Sequence, residues 1–308
     1  MTSRPRQSTA RPGLESGRAT RAGRWFVRPA TALILVLGIF PLLFSLGLTF
    51  TNVNLFRRGP VEFVGLRNWD RLLSDEALRT TLLNSVVFVV AGVLLQYVIG
   101  LLLAVVLNQE FRGQRPMRVL ILLPMMVSPI AVGFIIGRMM LSEGFGPVND
   151  LFQMIGLPAV AWVSTTWLAR LTIVLVDSWQ WTAFMMLVLL AALQNIPEEP
   201  LQAARVDGAS EWQTFKYVVF PLLVPASVTA VLIRGLEAFK IIDIIRVVTG
   251  GGPGRATESV TMYVYNVGSK QGDVAYAAAA AYALVILVIL FSLLMLFGLR
   301  PITRRYAP

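Results

Sequence analysis

Residues 82–107 read Leu-Leu-Asn-Ser-Val-Val-Phe-Val-Val-Ala-Gly-Val-Leu-Leu-Gln-Tyr-Val-Ile-Gly-Leu-Leu-Leu-Ala-Val-Val-Leu, an apolar run interrupted only by Asn84, Ser85, Gln96 and Tyr97. A helix of about 20 apolar residues crosses the hydrocarbon core of a bilayer. The whole chain agrees with this stretch, because 56% of its 308 residues are hydrophobic and 14% are charged. Soluble domains carry about a quarter charged residues. The sequence therefore predicts a membrane protein.

Five further apolar stretches predict five more spans, so the expected fold class is an all-α polytopic membrane protein with about six transmembrane helices. In chain order, the predicted spans cover 30–50, 82–107, 119–141, 168–193, 217–241 and 274–299. Several of them contain prolines, which indicates a packed bundle whose neighbouring helices satisfy the freed carbonyls. The predicted organisation is a tail over 1–29, a six-span domain over 30–299 and a tail over 300–308.

The distribution of charge predicts an orientation. Lys and Arg collect in the cytoplasmic loops of membrane proteins. With the N-terminus inside, 15 of these residues fall on the cytoplasmic side and eight on the outer side. Both termini are therefore predicted to be cytoplasmic, and the net charge of +10 is attributed to this bias and not to nucleic-acid binding. The arginine-rich first tail is expected to be disordered; its composition also resembles an organellar transit peptide.

The composition excludes several kinds of chemistry. The chain has no Cys and no His, which removes thiolate chemistry, Cys/His zinc sites and histidine acid–base catalysis. Its three lysines are Lys216, Lys240 and Lys270, and no phosphate-binding GxxxxGK[ST] motif is present. We therefore predict no catalytic residue, no metal site and no cofactor on this chain. If ATP drives the protein, another subunit binds it.

The loop between the fourth and fifth predicted spans carries the most specific pattern. Residues 195–221 read Asn-Ile-Pro-Glu-Glu-Pro-Leu-Gln-Ala-Ala-Arg-Val-Asp-Gly-Ala-Ser-Glu-Trp-Gln-Thr-Phe-Lys-Tyr-Val-Val-Phe-Pro. Pro197 and Pro200 predict the start of a short helix, and Gly208 predicts its end. Ser210 is then the N-cap of a second helix that runs into the fifth span. A plain helix–turn–helix connector is the simplest interpretation.

The run Gln-Ala-Ala-Arg-Val-Asp-Gly-Ala, followed by Phe-Pro-Leu-Leu-Val-Pro, resembles the cytoplasmic coupling loop of permeases in binding-protein-dependent ABC importers. That family usually has Glu where this chain has Gln202, so an expected salt bridge becomes a neutral hydrogen bond. The resemblance implies a coupling helix that docks on an ATPase through these residues: Gln202, Ala203, Ala204, Asp207, Gly208 and Ala209.

A second stretch narrows the resemblance. Residues 238–253, which end in Thr-Gly-Gly-Gly-Pro, resemble the outer end of the fifth span in carbohydrate importers of the maltose-permease type. Over residues 30–299 the resemblance implies a bacterial or archaeal cytoplasmic (inner) membrane location. It also implies the following partners: a second homologous permease, two ATPase subunits that bind ATP and Mg, and an extracytoplasmic sugar-binding protein. The residues implied to reach the docked binding protein are Gly250, Gly251, Gly252 and Pro253.

Side chains suited to sugars gather in the predicted spans. Sugars are bound by flat aromatic faces and by planar hydrogen-bonding groups. The fourth span supplies such a set: Asp177, Trp179, Gln180, Trp181 and Thr182. Asp177 and Trp181 are four residues apart and share a helix face, with Gln180 expected beside them. Asp177 would lie about 15 Å deep, where an acid is costly unless it faces a cavity or a partner. Interhelical packing is the alternative role.

In the fifth span, charges alternate in sign every three residues from Arg234 through Glu237 and Lys240 to Asp243, so each neighbour can neutralise the next. Arg234 and Glu237 are the predicted cavity residues, whereas Lys240 and Asp243 are expected to reach the outer interface. In the outer loop, Arg255, Thr257 and Glu258 are expected to be polar tips that compete for sugar hydroxyls. A flexible surface loop is the alternative.

The predicted function is the permease subunit of an ATP-driven importer for a sugar or related polyol. A proton-coupled secondary transporter that uses Asp177 or Glu237 is the alternative, but it predicts inverted repeats that the sequence does not display, and it leaves the 195–221 loop unexplained. A membrane enzyme is disfavoured because the chain offers no nucleophile and base at a catalytic spacing.

Overall fold

The computed structural model describes residues 27–57 and 59–298, which form helices joined by loops. In chain order the helices are α1 (Val27–Leu48), α2 (Arg67–Ser74), α3 (Glu76–Leu107), α4 (Gln114–Met126), α5 (Pro129–Met140), α6 (Pro147–Met154), α7 (Thr166–Gln194), α8 (Glu198–Val206), α9 (Glu211–Ala238), α10 (Asp243–Val248), α11 (Val260–Tyr265, continued as Asn266–Lys270) and α12 (Val274–Gly298). The all-α class is confirmed. Most of the predicted tails, 1–26 and 300–308, lies outside the described residues.

Five of the described helices, α1, α3, α7, α9 and α12, are long and apolar enough to cross a membrane. They correspond to five of the six predicted spans. Because the predicted first tail ended at residue 29, the last three residues assigned to it belong to α1 instead. The fifth span also starts earlier than predicted, since α9 reaches back to Glu211.

The third predicted span is broken. α4 and α5 meet at an angle of 99°, so the described chain has six spans only if this bent pair counts as one. The span predicted over 119–141 is therefore interrupted between Met126 and Pro129. The cause is local, because Pro129 has no backbone N–H and disfavours a helical conformation in the residue before it. Ser128 accordingly has φ −59° and ψ 138°. Pro124, in contrast, lies inside α4.

The core of the bundle is built on the contact between α3 and α7, which pack along much of their length. Gly100 of α3 permits this approach, because a Cβ there would lie 2.6 Å from the Cβ of Met185. α9 packs against both helices, and Gly235 of α9 makes room for the ring of Phe291 from α12. α1 lies outside this core, since none of its most apolar window is buried.

At the N-terminal end of α3, the carboxylate of Asp75 bonds groups from three helices. Oδ1 of Asp75 accepts hydrogen bonds from the backbone N–H groups of Ala77 and Leu78, and Oδ2 accepts from the hydroxyls of Tyr263 and Tyr276. Burial alone raises the pKa of this carboxyl, but the four hydrogen bonds outweigh it, so the pKa of Asp75 lies below its ordinary value. Burial and the bond to Asp75 raise the pKa of Tyr263 to about 12.

Candidate substrate pathway and coupling surface

A cavity of about 260 Å³ lies where α7, α9 and α10 approach the start of α5. Four of the six predicted pathway residues line it: Asp177, Trp181, Arg234 and Glu237. The rest of its wall consists of Pro129, Ala238, Lys240, Ile241, Ile242, Asp243 and Ile244. The break in the third span thus places Pro129 at the cavity. The helix-face argument is confirmed for Asp177 and Trp181, which both line the cavity from α7.

Two charges in the cavity wall form a buried ion pair. Nη2 of Arg234 bonds Oδ2 of Asp177, and the two side chains are 2% and 8% exposed. Gln96 of α3, which is fully buried, bonds both of them. Its Oε1 accepts from Nε of Arg234 at 2.8 Å, and its Nε2 donates to Oδ2 of Asp177 at 2.8 Å. The guanidinium carbon of Arg234 also lies 5.0 Å from the centroid of the Trp181 ring.

This arrangement corrects the predicted pairing along the fifth span. Arg234 pairs with Asp177 of α7 and not with Glu237 of its own helix. Glu237 instead pairs with Lys240 at 2.7 Å, and both side chains are at least half exposed. Lys240 and Asp243, which were expected at the outer interface, line the cavity. The tertiary contact with α7 outweighs the local three-residue spacing, because only Arg234 is deep enough to require a buried counter-ion.

The other two residues predicted for the pathway lie elsewhere. Trp179 lines an apolar groove of about 620 Å³ together with Thr182, on a different face of α7. Gln180 is buried, and its Nε2 donates to the carbonyl of Val127 at 2.7 Å, in the break of the third span. Gln180 therefore does not line the cavity with Asp177 and Trp181, and it contacts the backbone that bends α4 into α5.

In the 195–221 loop, at the C-terminal end of α7, the structure confirms the predicted short helix and the helix cap that follows it. The short helix α8 ends before Gly208, whose φ of +73° favours glycine. Ser210 caps α9 in a capping box: its Oγ accepts from the N–H of Gln213, and the side chain of Gln213 accepts from the N–H of Ser210. One continuous helix then runs from this cap to Arg234 at the cavity.

The exposed face of α8 differs from the expected one in one residue. Ala204 is buried within the chain, whereas Gln202, Ala203 and Asp207 are exposed. Of the two alanines in α8, Ala203 is the exposed one. Gln202 donates to Glu198 of its own helix at 3.2 Å. Large apolar side chains add to this surface, because Val206 is 87% exposed and Trp212 is 68% exposed.

The glycine-rich loop at residues 249–259 is compact. Asn84 of α3 donates to the carbonyls of Arg255 and Glu258, and Arg170 of α7 donates to the carbonyl of Ala256. Arg170 also donates to Oδ1 of Asn84 at 2.9 Å. These bonds attach the loop to the N-terminal parts of the two central helices. A freely flexible loop is therefore not what the structure contains.

Within this loop, three of the residues expected at its tip are buried: Gly251, Thr257 and Glu258. Thr257 is enclosed because its hydroxyl bonds Thr249 at 2.7 Å and the carbonyl of Gly252 at 2.8 Å. The expectation that Thr257 and Glu258 are free polar tips is wrong. Gly250, Gly254 and Arg255 are the exposed residues of the loop, whereas Gly252 and Pro253 are among its half-buried residues.

Comparison with known proteins assigns the chain to a family. Residues 96–307 match the family described as binding-protein-dependent transport system inner membrane component. The chain belongs to that family. It is similar to the trehalose/maltose transport system permease protein MalF of Thermococcus litoralis, which is 33% identical over 280 residues that cover 91% of this chain and 94% of that protein. The sulfoquinovosyl glycerol transport system permease protein SmoG of Agrobacterium fabrum is 31% identical over 267 residues, 87% of this chain and 84% of that protein.

A solved structure supports the same fold. One chain of a bacterial alginate ABC transporter, crystallised in complex with an alginate pentasaccharide-bound periplasmic protein, matches with a TM-score of 0.80 at 20% identity. The match covers 93% of this chain and 96% of that chain. Membership of the family, together with the apolar helices, makes this chain an inner membrane protein and the membrane component of a transport system.

Sequence reasoning missed several residues at these surfaces. Gln96 completes the buried set around Asp177, and its only sequence signal was its polarity within an apolar run. Asp243 lines the cavity although it was assigned to the interface. Trp212 had a clearer signal, because a large aromatic residue next to a helix cap in a loop between two spans is suited to docking.

Proposed function

We propose that this chain is the permease subunit of an ATP-driven importer, and that the 260 Å³ cavity belongs to the translocation pathway for a sugar or related polyol. The cavity is the observation that carries the proposal. It places an indole ring beside ionised side chains within an apolar helix bundle, and this combination suits a hydroxyl-rich solute. Charged groups at this depth are rare unless they face an aqueous cavity or a partner.

A single chain encloses only part of such a pathway. The cavity wall comes from α5, α7, α9 and α10, and we propose that a second, homologous permease supplies the opposite wall. A substrate-binding protein delivers the solute on the outer side, where the loop that includes Gly250, Gly252 and Pro253 is exposed or half-buried. The sugar specificities in the names of MalF and SmoG support a carbohydrate or a carbohydrate derivative as the solute.

ATP hydrolysis belongs to separate subunits in this proposal. Two ATPase subunits bind ATP and Mg and dock on α8 through Gln202, Ala203 and Asp207, with Val206 and Trp212 as additional apolar contacts. Gly208 and Ala209 form the turn behind this surface. Both chain termini are cytoplasmic in this arrangement, which agrees with the charge bias. The continuous helix from the capping box to Arg234 links the docking surface to the cavity.

The proton-coupled alternative is not favoured. Both acids that it would use already form ion pairs, Asp177 with Arg234 and Glu237 with Lys240. The family description names a binding-protein-dependent system.

The proposal is tested by purifying the chain with its ATPase and second permease and by measuring sugar uptake into proteoliposomes. Trp181→Ala should lower uptake severalfold and leave the assembled complex intact, because the indole ring lies on the cavity wall. Trp167→Ala is the matched control, since Trp167 belongs to the same helix and is 62% exposed outside the cavity. Equal uptake in both variants would contradict the assignment of the cavity, and failure of any ATPase to co-purify would contradict the function.

A further inference from the structure

Three buried side chains from three helices form a closed set next to the cavity. Gln96 of α3, Asp177 of α7 and Arg234 of α9 are 0%, 6% and 2% exposed. Each of them bonds both of the others. The set carries one positive and one negative charge and is therefore neutral. A buried ion pair is stable only when additional hydrogen bonds support it, and Gln96 supplies one to each partner.

The residues around this set leave space for its three side chains, and the other ion pairs lie elsewhere. Gly92 lies one turn before Gln96, where a Cβ would approach Oδ2 of Asp177 to 3.5 Å and Nε2 of Gln96 to 3.7 Å. The other ion pairs among the described residues do not involve these side chains. Among the described residues Arg234 forms an ion pair with Asp177 alone, and Glu237 pairs with Lys240.

The set also fixes one wall of the cavity. Arg234 uses Nε and Nη2 within the set, and its guanidinium lies 5.0 Å from the centre of the Trp181 ring. A cation over an indole ring is attracted by the ring's quadrupole. The position of Trp181 is thus linked through Arg234 to the three central helices.

We infer that Gln96 is a positioning residue for transport and that Asp177 is the counter-ion of Arg234 and not a ligand of the solute. Together they hold Arg234 and Trp181 at the cavity wall. This inference rests on the proposed function, because it gives these residues a role in that pathway. The set requires one carboxylate, one amide and one guanidinium. The carboxylate can stand on either α3 or α7, provided that the amide stands on the other helix.

An exchange of the carboxylate and the amide tests this requirement. In Gln96→Glu with Asp177→Asn, the carboxylate at position 96 accepts from Nε of Arg234 and from the amide at position 177, whose oxygen accepts from Nη2. The charge and the number of hydrogen bonds are conserved. Each single variant breaks the balance: Asp177→Asn leaves a buried cation without a counter-ion, and Gln96→Glu places two carboxylates side by side.

We expect each single variant to lower ATP-driven sugar uptake by about tenfold or more, as expected for an uncompensated buried charge. The double variant should recover most of the wild-type uptake and of the ATP hydrolysis stimulated by the binding protein. Gln109→Glu, the same chemical change at an exposed position, should leave uptake unchanged. A double variant no better than Asp177→Asn would overturn the inference, because the carboxylate would then be needed at position 177 itself. Wild-type uptake in either single variant would also overturn it.

Assembly is measured in parallel as the thermal unfolding of the purified complex. If the single variants do not assemble, recovery of assembly in the double variant supports the closed set, and failure to recover contradicts it. This readout is independent of the solute. A wild-type complex that carries no sugar would refute the proposed function, while the exchange could still be read from thermal unfolding.

Discussion

The loop at residues 195–221 and the loop at residues 249–259 lie at opposite ends of the bundle and differ in what holds them. The first is organised by bonds between residues close in sequence, such as the capping box of Ser210 and Gln213, and its face exposes Val206 and Trp212. The second is held by bonds over long separations, such as Asn84 to Arg255. The first loop presents exposed apolar side chains, whereas the second is held by contacts within its own chain.

Because of this difference, we expect substitutions in the two loops to have different effects. Changes in the first loop should alter what assembles with the chain and leave the isolated chain's fold almost unchanged. Changes in the anchors of the second loop should alter the chain itself and, through it, the response to a docked binding protein.

The largest effect is expected for Gly208→Val. Gly208 has φ +73°, and an L-residue there costs about 1–2 kcal/mol, more for a β-branched one. The turn between α8 and α9 should therefore reorient, and we expect co-purification of the ATPase and sugar uptake to fall to background. Gly144→Val is the control, because Gly144 has open space around it and no positive φ. Unchanged ATPase binding in Gly208→Val would mean that the loop is only a connector.

A smaller effect is expected for Arg170→Ala, which removes the anchor of the outer loop. Arg170 donates to the carbonyl of Ala256 and to Asn84, and each bond from a charged donor contributes about 1.5–3 kcal/mol. We expect severalfold weaker stimulation of ATP hydrolysis by the loaded binding protein, with basal hydrolysis unchanged. Arg79→Ala is the control, because Arg79 is exposed and lies on α3 a few residues before Asn84. Full stimulation in Arg170→Ala would show that the loop's anchoring is irrelevant to docking.

The two loops also show how far sequence reasoning reached. Proline, glycine and serine predicted the short helix, its end and the next cap, because these residues act on their own neighbours. The outer loop and the cavity depend on pairs such as Arg170 with Ala256 and Arg234 with Asp177, which are 86 and 57 residues apart. Polarity within an apolar span marked Gln96 and Asp177 as unusual, but it did not identify their partners.

An effect on stability alone is expected for Tyr263→Phe. The pKa of Tyr263 is raised from 10.0 to about 12, so its contribution to stability is fully present below pH 10 and is lost as the pH rises through about 12. The variant should unfold at a lower temperature than the wild type at pH 7, and the difference should shrink between pH 10 and 12. Tyr265→Phe should change nothing, since the Tyr265 ring, which contacts Arg246, is kept. A difference that does not depend on pH would contradict the role of the hydroxyl.

The smallest effect is expected for Gln202→Glu. Gln202 is exposed and its amide donates to Glu198 at 3.2 Å, so the variant exchanges this bond for a like-charge pair four residues apart, at a cost of about 0.2–0.5 kcal/mol. We expect uptake and ATPase binding close to those of the wild type. A severalfold change in either quantity would show that the amide itself contacts the ATPase.

The source of energy is the central point of the account. Proteoliposomes that contain the complete complex should be supplied with solute-loaded binding protein outside, with and without ATP and Mg inside, and with and without a protonophore. The account predicts uptake that requires internal ATP and persists when the proton gradient is abolished. Uptake that proceeds on a proton gradient without ATP, and stops with the protonophore, would contradict it.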